Sequence, residues 1–217
     1  MIKLAIFDLD GTILDSMWVW NRVDETFLGR RGFLVPPDYL EHISTAGFLK
    51  AAEYTIERFG LNETTDEIMA EWNSMAKEEY AKTVGLSKGA FEYLGMLKDR
   101  GIRMAVATAN HESLFMPALI NNGIADYFEE FCTVLDVGKD KTSPDIYKET
   151  AARLGIPKDE LVVFEDNNKA VRTSVNEGFF TVAMEDKSNE AFFEEIRKTA
   201  DLFYPDFACL IKETTGE

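Results

Sequence analysis

The feature that most constrains the fold is an alternation of short apolar runs with longer amphipathic stretches along the 217 residues. Each apolar run has the length of a buried strand, and most are bounded by Gly, Asp or Asn. Several of the amphipathic stretches stop at a glycine, as helices commonly do. This alternation predicts an α/β domain with a mostly parallel, Rossmann-like sheet. The predicted strands are Lys3–Phe7, Arg103–Ala107, Phe131–Leu135, Leu161–Phe164 and Phe180–Ala183, and the predicted helices of the same domain are Lys88–Arg100, Glu112–Asn122, Pro144–Leu154, Lys169–Glu177 and Asn189–Thr199.

One segment interrupts this alternation. About 70 residues between the first predicted strand and the helix near Lys88 contain no convincing strand. A parallel crossover needs only about a dozen residues, so the segment predicts an inserted helical domain that closes over the sheet. We expect a core of residues 1–15 and 86–217 and an insert of residues 16–85. The helical patterns of the insert are Met17–Leu28, Pro37–Phe59 and Asp66–Lys82.

The charge balance excludes several classes of partner. The chain has 39 acidic and 23 basic residues, a formal net charge of −16. It therefore lacks the basic stripe of a nucleic-acid binder and the polybasic patch that anionic lipid attracts. The short N-terminal apolar run does not fit a signal peptide, and no 18 residues in succession are apolar. We expect a soluble cytoplasmic protein without nucleic-acid or membrane partners, and nothing in the sequence indicates its oligomeric state.

Polar residues follow the ends of four predicted strands. In a parallel sheet, ligands bind outside the carboxyl ends of the strands, where the strand order reverses. A segment of this kind follows each of the first four strands, and together they indicate a site at this edge. The segments are Asp8–Thr12, Thr108–Asn110, Lys139–Asp145 and Glu165–Asn167.

These side chains suit phosphoryl transfer. Of the carboxylates of Asp8 and Asp10, one can act as a nucleophile while the other gives a proton to the leaving oxygen and later activates water. Glu165 and Asp166 add two more carboxylates, and Mg²⁺ would relieve the repulsion within such a cluster. With only two histidines and two cysteines in the chain, a zinc site or a Ser-His-Asp triad is a poorer interpretation.

A phosphate anion in so acidic a chain also needs local positive charge, from a metal or a lysine. Lys141 or Lys139 can supply it, and Thr108 with the backbone N–H groups of Ala109 and Asn110 can bind phosphate oxygens. Each motif alone has an ordinary explanation as a turn, a helix cap or a surface lysine. The succession of four such sites is what favours a functional interpretation.

The same four motifs resemble those of the haloacid dehalogenase-like hydrolase superfamily. The match is to its subfamily I branch of phosphatases and β-phosphoglucomutase-like enzymes, which carry a helical C1 cap. The resemblance covers nearly the whole chain, and it implies a five-stranded parallel core in the order 5-4-1-2-3. The motifs that carry it are Phe7–Thr12, Ala107–Asn110, Lys141–Tyr147 and Val163–Asp166.

The resemblance also implies roles for individual residues. Asp8 would be the nucleophile and Asp10 the general acid/base. Mg²⁺ would be bound by Asp8, by the backbone carbonyl of Asp10 and by Asp166, with Glu165 binding directly or through water. Thr108 and Lys141 would bind the phosphoryl group, because the Lys–Pro–Asp spacing of the third motif favours Lys141 over Lys139.

Within this branch, the sequence favours hydrolysis of a phosphate ester. Dehalogenases and phosphonatases of the family lack a carboxylate at the position of Asp10. Mutases place a histidine in the cap segment where this chain has Trp18 and Trp20, which we expect either to contact substrate or to pack cap on core. The prediction is a Mg²⁺-dependent phosphatase acting on a small phosphorylated metabolite. Alternatives are a phosphomutase of the β-phosphoglucomutase type and a non-catalytic phospholigand-binding protein, although the latter predicts a damaged motif and none is damaged.

Overall fold

The chain forms two compact units. The computed structural model describes residues 1–46 and 48–216. One unit comprises Met1–Met17 and Val84–Glu217, and the other, which is helical, comprises Trp18–Thr83. Among the described residues, no helix combines the length and apolar character that crossing a membrane requires. The role of the helical unit as a cap stays a prediction.

The first unit is built on a parallel sheet. Within the described residues six strands form it, and two further two-residue strands pair antiparallel in a separate ribbon. The ribbon joins Asp15 to Gly85, so the chain leaves for the helical unit and returns from it at paired positions. The strands are β1 (Leu4–Phe7), β2 (Leu14–Asp15), β3 (Gly85–Leu86), β4 (Arg103–Thr108), β5 (Glu130–Thr133), β6 (Leu161–Glu165), β7 (Phe180–Met184) and β8 (Leu202–Tyr204).

The order across the sheet is β5-β4-β1-β6-β7-β8, with every neighbouring pair parallel. The predicted order of the first five strands is confirmed, since β7, β6, β1, β4 and β5 lie side by side in that sequence. The predicted count of five is wrong, because β8 adds a sixth strand at the edge. This strand is three residues long, too short for a period-two pattern to distinguish it from a loop.

Two further strand predictions need correction. The third predicted strand continued to Leu135, but β5 ends at Thr133. Both the backbone N–H and the hydroxyl of Thr133 donate to the Asp136 carboxylate at 2.7 Å, and this starts a short helix over the apolar residues that follow. The segment between the first predicted strand and the helix near Lys88 was predicted to contain no strand, but it contains β2 and β3. Each is two residues long, too short for an alternating apolar–polar pattern to be recognised.

The helices largely follow the sequence pattern. The predicted single helix Pro37–Phe59 is instead two helices that flank Gly47, which lies outside the described residues. The last helix of the helical unit, Thr65–Lys82, begins at a capping box. The backbone N–H of Glu67 donates to the Thr64 hydroxyl oxygen, and the backbone N–H of Thr64 donates to the Glu67 carboxylate. The helices are α1 (Val19–Arg30), α2 (Pro37–Ala46), α3 (Phe48–Phe59), α4 (Thr65–Lys82), α5 (Ala90–Asp99), α6 (Glu112–Asn121), α7 (Val134–Val137), α8 (Asp145–Leu154), α9 (Asn168–Glu177), α10 (Phe193–Thr199) and α11 (Phe207–Thr215).

The core of the first unit has helices on both faces of the sheet. β1 is fully buried, and successive side chains of a strand point to opposite faces. Ile6 belongs to a cluster with Tyr147 of α8. Phe7 stacks on Phe164 at 4.5 Å between ring centroids and packs against Phe207 of α11. This double burial places the end of β1, and the aspartate that follows it, at the edge of a rigid layer.

The helical unit buries a polar cluster of its own. Asp24 of α1 is 7% exposed, and its carboxylate accepts a hydrogen bond from the Tyr39 hydroxyl at 3.3 Å. That hydroxyl also lies 2.8 Å from the hydroxyl of Thr55, which donates to the Ala51 carbonyl. Burial raises the pKa of Asp24 to about 7, although the bond from Tyr39 acts in the opposite direction. The folded protein therefore holds a proton on Asp24 that the unfolded chain releases near pH 4.

We expect Asp24→Asn to stabilise the protein at alkaline pH. In the wild type the folded state binds more protons than the unfolded state between about pH 4 and pH 7, so stability falls as pH rises through this window. The variant lacks that loss and should be more stable by at least about 1 kcal/mol at pH 8, with the difference vanishing toward pH 4. Urea unfolding at several pH values measures it. Glu57→Gln, at an exposed position of α3, is the control, and an equal effect of both substitutions would contradict the assignment.

Candidate active site

The site forms where three neighbouring parallel strands end. β1 lies between β4 and β6, and Phe7 is in register with Val106 on one side and Phe164 on the other. The residues after these positions therefore share one edge of the sheet. The structure places Asp8, Thr108 and Glu165 at this edge, as the sequence predicted.

A buried lysine forms hydrogen bonds to carboxylates at the ends of both β1 and β6. Lys141 lies in the loop before α8, and its Nζ donates to Asp8 Oδ1 and, at 2.5 Å, to Glu165 Oε1. The side chains of Asp8, Lys141 and Glu165 are 9%, 12% and 1% exposed. Lys139, the alternative lysine, instead pairs with Asp145 and is mostly exposed. The position that the motif spacing favoured is the one that reaches the site.

The turn after β1 brings Asp166 against the same cluster. Gly11 has a φ of +80°, and a Cβ built on it would lie 2.5 Å from Asp166 Oδ2, so only glycine fits this close approach. Asp166 is buried, and it accepts hydrogen bonds from Thr12 Oγ1 at 3.3 Å and from Asn189 Nδ2 at 2.8 Å. The turn thus places the second carboxylate of the fourth motif beside the first motif.

Asp10 accepts a hydrogen bond on each of its carboxylate oxygens. Ser16 Oγ donates to Asp10 Oδ1 at 2.6 Å, and Asn110 Nδ2 donates to Asp10 Oδ2 at 2.6 Å. The side chain is half-buried. These two bonds restrict the rotation of the carboxylate.

In the segment after β4, one of the expected phosphate donors is engaged within the protein. Thr108 is fully buried, and its hydroxyl oxygen accepts the backbone N–H of Asn110 at 3.1 Å. That N–H, predicted to bind phosphate, is thus engaged in this structure, and the Asn110 side chain contacts Asp10. Ala109 is exposed at the strand end. The phosphate-binding roles of Thr108, Ala109 and Asn110 stay predictions.

The two tryptophans, expected either to contact substrate or to pack cap on core, belong to the helical unit. Trp18 precedes α1 and lines an open groove of about 480 Å³ together with Arg22 and Glu25. Trp20 packs edge-on against Phe48 at 5.5 Å. Both are half-buried, and their role as substrate contacts stays a prediction.

Burial and repulsion among the carboxylates dominate the electrostatics of the site. Burial raises the pKa of Asp8 to about 8; Lys141 opposes this shift, while Glu165 and Asp10 add to it. Burial and the charges of Asp8 and Glu165 also raise the pKa of Asp166 well above its usual range. The pKa of Lys141 is raised, because Asp8 and Glu165 together outweigh the effect of its burial. One lysine cannot balance this cluster.

The donor set fits a divalent cation. Asp8, Glu165 and Asp166 each offer a carboxylate oxygen, and these atoms lie within 4.8 Å of one another. Glu165 Oε2 is buried and has no hydrogen-bond partner among the described residues, although buried carboxylate oxygens ordinarily find one. Hard oxygen ligands of this kind suit Mg²⁺.

Reasoning from the sequence missed several side chains that support the site. Tyr147 lies inside the third motif and Ser16 shortly after the first, so their positions alone could have suggested roles. Tyr147 donates to Glu165 Oε1 at 2.7 Å. Asn189 carried no such signal, because it lies 23 residues beyond Asp166 in a 3-10 helix after β7.

The chain belongs to the haloacid dehalogenase-like hydrolase family, whose pattern it matches over residues 5–184. It is thus an enzyme of a hydrolase family whose motifs coincide with the site described above. Hexitol phosphatase A of Escherichia coli is 30% identical over 192 residues, covering 84% of this chain and 82% of that protein.

Two further proteins are similar to most of the chain at lower identity. The phosphorylated carbohydrates phosphatase of Thermotoga maritima is 22% identical, covering 82% of each chain. The crystal structure of CbbY from Rhodobacter sphaeroides in complex with phosphate superposes with a TM-score of 0.77 at 22% identity, covering 96% of each chain. The last likeness establishes the fold.

Proposed function

We propose that the protein is a Mg²⁺-dependent phosphatase that hydrolyses a small phosphate monoester through an aspartyl-phosphate on Asp8. The observation that carries the proposal is the arrangement around Asp8. This carboxylate ends a buried strand, accepts a hydrogen bond from Lys141, and lies with Glu165 and Asp166 in one cation-sized cluster. Asp10 follows two residues later, held in place by two donors.

These residues would act in two steps. In the first, an oxygen of Asp8 attacks phosphorus, the bond from phosphorus to the ester oxygen breaks, and Asp10 gives that oxygen a proton so that an alcohol leaves. In the second, Asp10 removes a proton from water, which attacks phosphorus and displaces Asp8 as the free carboxylate, releasing inorganic phosphate. Lys141 would hold Asp8 in line and, with the Thr108 hydroxyl, stabilise the charge on the transferring phosphoryl oxygens.

The cluster explains why a cation is needed. At neutral pH the raised pKa of Asp8 disfavours the ionised form that a nucleophile requires. Asp8, Glu165 and Asp166 would hold Mg²⁺, with the backbone carbonyl of Asp10, by analogy with the family. When bound, Mg²⁺ supplies positive charge that keeps the carboxylates ionised and neutralises phosphoryl oxygens.

The substrate class we propose is a phosphorylated sugar or sugar alcohol. Two relatives are named for hexitol phosphates and phosphorylated carbohydrates, which supports this choice over nucleotides. The chain enters the helical unit Trp18–Thr83 shortly after β2 and leaves it just before β3, and these two strands pair with each other. We propose that it acts as a cap, which would favour small substrates by excluding water and bulky partners.

Phosphate release from a panel of esters tests the proposal. We expect release from hexose and hexitol phosphates in the presence of Mg²⁺, loss of at least about 100-fold with excess chelator, and recovery when Mg²⁺ is restored, because the site needs the cation's charge. Release that survives chelation would contradict the role of the metal. Absence of release from every ester, with interconversion of a sugar phosphate in the presence of a bisphosphate activator, would instead favour the phosphomutase alternative.

A further inference from the structure

The hydroxyl of Tyr147 is directed at a carboxylate of the candidate metal cluster. Tyr147 lies in the first turn of α8 and is fully buried, with its ring packed edge-on against Phe179. Its hydroxyl donates to Glu165 Oε1 at 2.7 Å. Lys141 Nζ donates to the same oxygen at 2.5 Å. Glu165 thus receives two donors on one oxygen and none, among the described residues, on the other.

This asymmetry determines how the carboxylate is presented. Two donors on Oε1 restrict rotation of the group and commit that oxygen to protein contacts. Oε2 is buried and accepts no hydrogen bond from the described residues. It is therefore left for a ligand that needs no hydrogen bond from it, namely a cation. A buried tyrosine hydroxyl needs an acceptor, but a backbone carbonyl would satisfy that need equally well. The Tyr147 hydroxyl instead donates to a carboxylate of the candidate metal cluster, and this choice of acceptor indicates a functional role.

Both donors also come from one short segment. Lys141 and Tyr147 are six residues apart, in the loop before α8 and in the first turn of that helix. The helix is anchored in the core through Ile146, Tyr147 and Ala151. The orientation of Glu165 is therefore coupled to a rigid element rather than to the loop alone.

We propose that Tyr147 is a positioning residue for cation binding, which holds Glu165 so that Oε2 faces the cation. The inference rests on the proposed function, since it assigns a supporting role around the same Mg²⁺ site. Side chains that orient metal ligands typically contribute about 10- to 100-fold in metal affinity or activity. Tyr147 is thus expected to act on Mg²⁺ affinity far more than on substrate affinity.

The test is Tyr147→Phe, which keeps the ring and removes the hydroxyl. We expect Mg²⁺ to bind at least about 10-fold more weakly, measured by calorimetry without substrate and by the Mg²⁺-dependent rise in melting temperature. At saturating Mg²⁺, KM for the ester should stay within about twofold of the wild type, since the hydroxyl is fully buried and donates to Glu165. Tyr93→Phe is the matched control, because Tyr93 is also buried in this unit and packs on Phe164 and Phe207; it should leave Mg²⁺ affinity unchanged.

A double-mutant cycle with Glu165→Gln separates positioning from general packing. If Tyr147 acts through Glu165, then adding Tyr147→Phe to the Glu165→Gln variant should change Mg²⁺ affinity less than about twofold. Affinity unchanged in the single variant, or an equal loss in both backgrounds, would overturn the inference while leaving the proposed function intact. A wild type that neither binds Mg²⁺ nor releases phosphate would overturn both.

Discussion

Asp8→Asn is expected to lower phosphate release from every ester by at least about 10³-fold, because an amide cannot form the covalent intermediate. The substitution is nearly isosteric, and the amide oxygen can still accept a hydrogen bond from Lys141. Substrate binding, measured by calorimetry, should therefore survive the loss of turnover.

The same variant should fold at least as well as the wild type. The Asp8 carboxylate is buried, with a pKa raised to about 8, so a neutral side chain removes repulsion from Glu165 and Asp166 rather than a stabilising charge. Unfolding in urea without Mg²⁺ measures this. Wild-type stability with lost turnover would separate a chemical role from a structural one.

The control for this experiment is Asp126→Asn, an exposed aspartate remote in sequence from the motifs, which should retain full activity. Mass spectrometry after the assay checks that deamidation has not restored Asp8. Turnover above a few per cent of the wild-type rate in Asp8→Asn that has not deamidated would contradict the assignment of Asp8 as the nucleophile.

Lys141→Met is expected to destabilise the protein by about 3 kcal/mol at pH 8 without Mg²⁺, since removing one partner of a buried ion pair leaves uncompensated charge. Asp8 and Glu165 both lose the lysine, and Glu165 keeps its hydrogen bond from Tyr147. In the variant the pKa of the buried Asp8 carboxyl, no longer opposed by Lys141, should rise further above its unfolded value. The folded state then binds more protons, so its stability should fall as pH rises from 5 to 8.

Activity of Lys141→Met should fall together with its stability, but only the stability should recover when Mg²⁺ is added. Loss of Lys141 removes the charge that would stabilise the transferring phosphoryl group, a loss of about 10²- to 10³-fold in kcat by comparison with other electrostatic contacts. Added Mg²⁺ should restore much of the stability, since a cation satisfies the same carboxylates, but not the activity. Urea unfolding and phosphate release, each with and without Mg²⁺, measure the two effects.

Lys139→Met is the matched control. Lys139 is two residues earlier and pairs with Asp145 at the surface, where such pairs contribute at most about 1 kcal/mol. The variant should be stable and active. Loss of activity in Lys139→Met, together with full activity in Lys141→Met, would reverse the assignment of the two lysines.

The sequence by itself determined the architecture and the chemical class of the site. Short apolar runs between helix patterns predicted a parallel sheet, because the period of the pattern is a local property of each element. Asp8, Glu165 and Asp166 could be placed at one edge because the carboxyl ends of parallel strands share it. The family motifs then supplied the order of five strands and the preference for Lys141.

The tertiary structure decided what local patterns do not encode. The bonds of Tyr147 to Glu165, of Asn110 to Asp10 and of Asn189 to Asp166 join residues 18, 100 and 23 positions apart. No periodicity links such pairs, because their meeting depends on how helices and loops pack on the sheet. The short edge strand β8 was missed for a related reason: pairing with β7 defines it, rather than a pattern of its own. The residue types at the site are thus readable from the chain, whereas the contacts that orient each carboxylate arise only when the elements pack together.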